Sequence, residues 1–163
     1  MNQKKTIAWG AVIAWMALIF FLSHQPADIS STMSSGIAEK IKAVIETTAP
    51  AAGIDADFLH TFVRKNAHFF AYLILGTLIF YAMRQSGVHV LRGALMAFGF
   101  AVLYAVSDET HQLFIAGRSG EVRDVFIDSA GAAAGIGIYF LIAKMRRLTS
   151  LSARRDRLQE TNE

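Results

Sequence analysis

Four long apolar runs dominate this chain of 163 residues, at about positions 6–22, 66–83, 91–106 and 125–143. Each run is long enough, as a helix, to cross a hydrocarbon layer of about 30 Å. Backbone groups find no partners in lipid, so a spanning segment must close its own hydrogen bonds. Apolar residues make up 53% of the chain and charged residues only 18%, which is unusually apolar for a soluble domain. We therefore predict an all-α, integral membrane four-helix bundle.

Charged residues near the runs refine this prediction. Arg92 and Asp128 lie near the ends of the third and fourth runs, and must reach the interface or face the bundle interior. Lys4 and Lys5 precede the first run, as in a signal peptide, but no small-residue cleavage site follows it and three more runs do. We interpret the first run as a retained membrane helix.

Basic residues predict the orientation, because they accumulate on the cytoplasmic side of membrane spans. With both termini inside, that side holds ten basic and three acidic residues, and the outer segments hold six basic and ten acidic residues. We expect a multi-pass membrane protein with both termini in the cytoplasm, a membrane domain at 1–147 and a basic cytoplasmic tail at 148–163. The basic tail suits lipid headgroups, so membrane lipids are expected partners and nucleic acid is not.

The first outward segment, residues 23–65, is too long for a simple turn. Ile37, Ile41, Val44 and Ile45 recur at helical spacing, which predicts a short helix on the membrane surface. This helix should end at residues 49–53. Asp55 or Asp57 would then cap a second helical piece that leads into the second span. The two surface helices either pack the outer mouth of the bundle or serve as a lid over a substrate.

Small residues in the last run form a second pattern. Gly131 and Gly135 stand four positions apart, which creates a face that lets another helix approach closely. Such a face serves either packing within one chain or dimerisation. We favour packing within the chain, because four spans with ionisable interiors need tight internal contacts.

Polar residues cluster at the outer ends of the runs, and ionisable groups at membrane depth are costly enough to mark function. Arg64, His68 and Tyr72 share one helix face, and Asp124 and Asp128 share another. Burying these faces against each other predicts one polar pocket at the outer leaflet. The candidate binding residues are His24, Gln25, Arg64, Lys65, His68, Tyr72, Asp108, Glu109, His111, Gln112, Arg118, Asp124 and Asp128.

The residue types in this set suggest anion chemistry. Arg64, Lys65, Arg118 and Arg123 suit a phosphate or carboxylate. The candidate catalytic residues, as general acid, base or nucleophile, are His68, Asp108 and His111. These side chains and Asp124 could also ligate a divalent ion, but no tight ligand spacing occurs and the chain has no cysteine. We therefore assign no metal ligands and leave the cofactor open.

Each of these groups also has a simpler interpretation. His24 can mark the membrane interface, and Arg64 and Lys65 can be headgroup anchors. Asp108, Glu109 and His111 are harder to explain this way. Two adjacent acids and a histidine are more polar groups than an interhelical hydrogen bond requires.

Four motifs occur in a familiar order: Ser23 to Pro26, Arg64 to Tyr72, Asp108 to Gln112 followed by Gly117-Arg118, and Asp124 to Asp128. This order resembles the VanZ-like family over nearly the whole chain. The resemblance implies a small bacterial membrane protein whose namesake lowers susceptibility to the glycopeptide teicoplanin. Many relatives have Asn at the position of Asp128, whose charge could help bind a metal or pair with Arg118 or Arg123.

Three functions remain open at this point. The first is binding of an anionic, lipid-linked cell-wall precursor at the outer leaflet, which would alter access of a glycopeptide. The second is a membrane-embedded hydrolase or transferase acting on a lipid phosphate. The third is a transporter, which four spans without inverted halves make less favourable.

Overall fold

The computed structural model describes residues 3–48, 53 and 55–160, without the side chains at 147, 148 and 150–160. These residues form helices and connecting turns, with no strand among them. The five helices are α1 (Gln3–Ser23), α2 (Ala27–Thr48), α3 (Ala56–Gln85), α4 (Val90–Gln112) and α5 (Val122–Glu160).

Four helices are long and apolar enough to cross a membrane, which confirms the predicted four-span, all-α fold. They are α1, α3, α4 and the segment Val122–Arg146 of α5. Their bounds exceed the apolar runs, most clearly in α3, which begins at Ala56 instead of near position 66. Polar turns continue a helix as easily as apolar ones, so hydropathy detects only the central part. Similarly, α5 continues without a break past position 147, so no change in secondary structure marks the predicted start of the tail.

Helix α2 contains the segment predicted to form a helix on the membrane surface, and it is longer than the apolar pattern indicated. It begins directly after Pro26, because proline cannot continue a helix from α1 but suits the start of a new one. One face packs on α3, where Ala38 lies against Leu59 and Val63. Beside this face, α2 exposes an apolar stripe formed by Ile29, Met33, Ile37, Ile41 and Val44.

The predicted second surface piece is the first part of α3. Asp55 is the N-cap of this helix, and its carboxylate accepts a hydrogen bond from the backbone N–H of Asp57 at 3.3 Å. The predicted helix end at 49–53 lies mostly outside the described residues, but Thr48 is the last residue of α2.

Helix α3 is the centre of the bundle and contacts each of the other four helices, α5 most extensively. Glycines permit this closest packing. Gly131 and Gly135 of α5 face the backbone carbonyls of Phe69 and Leu73, and Gly76 of α3 faces the backbone of Ala132. The small-residue face therefore packs within the chain, as predicted.

Helices α1 and α4 complete the bundle through side chains that bond to backbone carbonyls. The indole of Trp15 donates to the carbonyl of Ala71 on α3 at 2.9 Å. The hydroxyl of Tyr104 on α4 donates to the carbonyl of Met16 on α1 at 2.7 Å. These contacts hold α1, α3 and α4 in register, so the end of α1, the first half of α3, the end of α4 and the start of α5 meet at one end of the bundle.

Candidate functional site

We call this end, with its buried polar groups, the polar end. Within the part of the chain that the structure describes, six polar side chains are buried here: Ser23, Asp108, Glu109, Gln112, Asp124 and Asp128. Four of the six are carboxylic acids. Burying so many acids is unfavourable unless each finds a donor or a cation.

Asp124 has cationic partners. Its carboxylate lies 3.2 Å from the Lys65 ammonium and 3.4 Å from the Arg64 guanidinium. Both cations also lie 3.6 Å from the carboxylate of Glu121. The two basic residues, expected as ligand-binding cations, are thus largely neutralised within the protein and join α3 to the start of α5.

Gln112 joins a second set of polar groups. Its amide nitrogen lies 2.9 Å from the Ser23 hydroxyl, 3.0 Å from a Glu109 oxygen and 3.3 Å from an Asp108 oxygen. The other oxygen of Glu109 accepts a hydrogen bond from the backbone N–H of Glu121 at 2.9 Å. This network fixes the orientation of both acids on α4.

Asp128 faces His68. The ring nitrogen Nδ1 of His68 lies 3.3 Å from a carboxylate oxygen of Asp128, which is 0% exposed. Neither oxygen of Asp128 accepts a hydrogen bond from any described residue. Of the two roles considered for the charge of Asp128, pairing with Arg118 or Arg123 does not occur among the described residues, because Asp128 lies on the face of α5 that packs against α3.

A cavity of about 200 Å³ lies beside this group, between α1, α2 and α3. Its walls are mainly apolar, and Ile19, Leu22, Met33, Ile37 and Val63 contribute to them. The polar side chains that line it include Ser30, His68, Tyr72, Asp108 and Arg118. The cavity is therefore amphiphilic, with hydrocarbon walls beside a cluster of ionisable groups.

Arg118 differs from the other basic residues of the polar end. Its guanidinium donates a hydrogen bond to the Ser30 hydroxyl at 2.6 Å. No carboxylate among the described residues lies within ion-pair distance of it. Burial and the nearby Arg64 lower the pKa of the Arg118 guanidinium from its usual value. The side chain nevertheless stays charged at neutral pH, because guanidinium groups are not deprotonated in proteins.

The turn that carries Arg118 is fixed against α2. Gly117 adopts a φ of 72°, a conformation that favours glycine. It also packs closely on α2, since a Cβ at this position would lie 3.0 Å from the Cβ of Ala27. The backbone N–H of Ala27 donates to the carbonyl of Ala116 at 3.2 Å. The sequence pair Gly117-Arg118 thus positions a cation at the cavity.

His24, Gln25 and His111 lie apart from the cavity. The rings of His24 and His111 stack with centroids 5.3 Å apart, and their nitrogens approach to 3.1 Å. Phe20 packs on His111 at 4.8 Å between ring centroids. Gln25 bonds to the carbonyl of Phe21. These residues form a separate group on the α1 and α4 side of the polar end.

Sequence reasoning missed two contributors. Ser30, the partner of Arg118, gives no signal, because it is one of several serines in α2. The carboxylate of Glu121 lies within ion-pair distance of Arg64 and Lys65, and its backbone N–H donates to Glu109. Its place in the charged segment before α5 could have indicated this role.

Comparison with known proteins identifies the chain at the level of a family. No curated protein and no solved structure matches it. The family model VanZ/LLP1 matches residues 8–143, which contain all four membrane helices almost completely, together with the polar end. The chain belongs to the VanZ/LLP1 family of multi-pass membrane proteins.

Proposed function

We propose that this protein binds the anionic headgroup of a lipid-linked envelope component at the outer leaflet of a bacterial cytoplasmic membrane. The observation that carries the proposal is Arg118, a partly buried cation that lines the cavity without an ion-pair partner among the described residues. A phosphate or carboxylate would supply that partner through two parallel hydrogen bonds.

The shape and walls of the cavity favour an amphiphile over a free anion. Ile19, Leu22, Met33 and Ile37 offer hydrocarbon to a ligand beside Arg118. The volume of about 200 Å³ is smaller than that of most sites for complete small molecules, which is about 300–1,000 Å³. The cavity therefore suits a headgroup and the first few methylenes, while the remaining chain stays in the bilayer.

The orientation follows from the basic residues outside the polar end. Lys4, Lys5, Arg84 and Arg92 lie near the opposite ends of their helices, where the positive-inside rule places the cytoplasm. Both termini are then cytoplasmic, and the polar end meets the outer leaflet. There it would reach a lipid-linked cell-wall precursor, and sequestering this precursor would lower susceptibility to a glycopeptide such as teicoplanin.

A binding assay with the purified protein in nanodiscs tests the proposal. We expect a prenyl phosphate to bind and the corresponding uncharged prenol to bind at least tenfold more weakly. The variant Arg118→Gln should lose about 1.5–3 kcal/mol of charge-assisted hydrogen bonding, or roughly 10- to 150-fold in affinity. Arg123→Gln is the matched control, because Arg123 is exposed in the same segment.

The proposal would be contradicted if the prenyl phosphate and the prenol bound equally well, or if Arg118→Gln bound the prenyl phosphate as tightly as the original protein. Mass spectrometry of lipids that copurify with each variant would identify the natural headgroup. For the resistance phenotype, cells expressing Arg118→Gln should be as susceptible to teicoplanin as cells without the protein, at equal amounts of protein in the membrane.

A second candidate function is hydrolysis or transfer of a lipid phosphate. It is favoured by His68, which lines the same cavity as Arg118 and has Asp128 as an orienting neighbour 3.3 Å from Nδ1. Asp108 lines the cavity as well, whereas His111 does not. The test is release of inorganic phosphate from a prenyl phosphate, with His68→Gln as the variant that should abolish it. Binding without release would favour the first function.

A further inference from the structure

We infer that the polar end holds a divalent transition-metal ion, ligated by His68 of α3, Glu109 of α4 and Asp128 of α5. One potential ligand atom from each residue lies within 4.8 Å of the other two. Ligands around a metal bonded at about 2.0–2.2 Å are roughly 3–4 Å apart, so modest side-chain movements complete the site. This inference goes beyond the proposed lipid binding and does not depend on it.

The buried carboxylate of Asp128, which accepts no hydrogen bond, is the observation that points to a bound cation. Asp128 is completely buried, and the His68 ring lies 3.3 Å from one of its oxygens, within ion-pair distance but outside hydrogen-bond geometry. None of the other described groups donates a hydrogen bond to either oxygen. Buried polar groups in folded proteins nearly always have a partner, and carboxylates need one most. The buried hydroxyl of Tyr72, one turn beyond His68 on α3, likewise has no partner among the described residues. Coordination of a metal ion would satisfy Asp128 directly.

The charge balance supports the same conclusion. Asp108, Glu109 and Asp128 are at most 5% exposed. The basic groups Arg64 and Lys65 lie within ion-pair distance of Asp124 and Glu121 instead. His68 and Arg118 are the remaining cationic or potentially cationic groups that line the cavity with Asp108. A divalent ion bound by His68, Glu109 and Asp128 would bring two positive charges and so offset the excess of buried acids.

The donor set selects the class of metal. One imidazole and two carboxylates suit Zn²⁺, Mn²⁺ or Fe²⁺, whereas Mg²⁺ and Ca²⁺ prefer oxygen donors alone. Three protein ligands leave at least one coordination position for water or a ligand oxygen. Because His68 also lines the cavity, that position would be reached from the proposed lipid site.

Glu109 is already oriented for this role. The Gln112 amide and the Glu121 backbone N–H donate to its two oxygens at 3.0 and 2.9 Å. Hydrogen bonds of this kind hold metal-ligating carboxylates in position in known sites. The sequence suggests His68 and Asp128 separately as possible metal ligands, but it does not bring them together with Glu109, because the three residues come from three helices.

Metal binding to the full chain in nanodiscs tests the inference. The protein is stripped with a chelator and titrated with Zn²⁺ or Mn²⁺ in competition with a fluorescent chelator, without any lipid phosphate. We expect one ion per chain. Asp128→Asn and Glu109→Gln should each weaken binding at least tenfold. Asp28→Asn is the control, since it removes an exposed acid in the first turn of α2 and leaves the three ligands in place.

Thermal unfolding separates loss of the metal site from loss of the fold. Added metal should raise the unfolding temperature of the original protein but not that of Asp128→Asn. Without metal, Asp128→Asn should be at least as stable as the original protein, because it removes a buried carboxylate that accepts no hydrogen bond. If this variant fails to fold, Glu109→Gln decides the outcome.

Two results would overturn the inference: failure of the original protein to bind either ion at submillimolar concentration, or unchanged binding by the folded variants. Neither result bears on lipid binding, because the titration contains no lipid phosphate. Conversely, failure of the prenyl phosphate assay leaves the metal titration unaffected.

Discussion

Replacing Gly76 by alanine should push α3 away from α5. An alanine Cβ at this position would lie 2.6 Å from the carbonyl oxygen and 2.8 Å from the Cα of Ala132, whereas ordinary contacts of a Cβ are 3.4–4 Å. The opposing atoms belong to the backbone, so no side chain can rotate away. The two helices must therefore separate locally by about 0.6–0.8 Å, the difference between the ordinary and the observed approach.

Three contributions determine how far Gly76→Ala lowers the free energy of unfolding. A gap of about 0.5–1 Å forfeits a quarter to a half of each van der Waals attraction across the contact. Overpacking by a methyl group costs about 1–3 kcal/mol, and a backbone clash belongs at the upper end. The higher helix propensity of alanine offsets up to about 1 kcal/mol. We expect the free energy of unfolding to fall by about 2 kcal/mol.

Gly137 provides the matched control, because a Cβ there meets nothing within 4 Å and the residue is exposed on α5. Gly137→Ala should leave the free energy of unfolding unchanged or raise it by up to about 1 kcal/mol. Unfolding in mixed micelles with increasing SDS can be followed by tryptophan emission. Of the two tryptophans, Trp15 bonds to the backbone of α3 and so reports on the bundle.

Equal stability of Gly76→Ala and Gly137→Ala would refute the argument that direct backbone packing of α3 on α5 stabilises the bundle. A second readout is available, since α3 carries His68 and α5 carries Asp128. Separation of the helices should also weaken metal binding in Gly76→Ala but not in Gly137→Ala.

Two further predictions concern orientation and helix packing. Because the chain has no cysteine, single cysteines report orientation: in intact cells an impermeant thiol reagent should label Ala43→Cys in α2 but not His89→Cys between α3 and α4. The reverse pattern would place the polar end in the cytoplasm. Trp15→Phe removes the hydrogen bond to Ala71 and should lower the free energy of unfolding by about 0.5–1.5 kcal/mol. Unfolding in SDS is then followed by the emission of the remaining Trp9, whose indole donates to the hydroxyl of Ser86 just after α3. An unchanged value would mean that this bond does not stabilise the contact of α1 with α3.

Much of the architecture could be predicted from the sequence, because the membrane imposes simple rules. Long apolar runs must be helices, and helical spacing shows which residues share a face. The face formed by Gly131 and Gly135 was recognisable for the same reason, and it packs on α3. Family membership was predictable from the order of the polar motifs, and the family comparison confirms it.

The pairing of the polar groups could not be predicted. Helical spacing places Asp128 on a face but does not say which helix covers that face, so its approach to His68 was missed. Similarly, Arg64 and Arg118 look alike in the sequence, yet the first pairs with Asp124 and the second bonds only to Ser30 among the described residues. Such distinctions depend on the rotation of each helix about its axis, which is set by packing of the whole bundle.

The contacts between α3 and α5 also constrain how the protein is assembled. The acids Asp124 and Asp128 enter the membrane with the last helix, whereas Lys65 and His68 arrive earlier with α3. Helices insert first and associate afterwards, and chains are made from the N-terminus. The nascent α5 therefore meets basic partners that are already at membrane depth. This order limits the time during which buried acids face lipid alone, and it makes α3 the template on which the final helix docks.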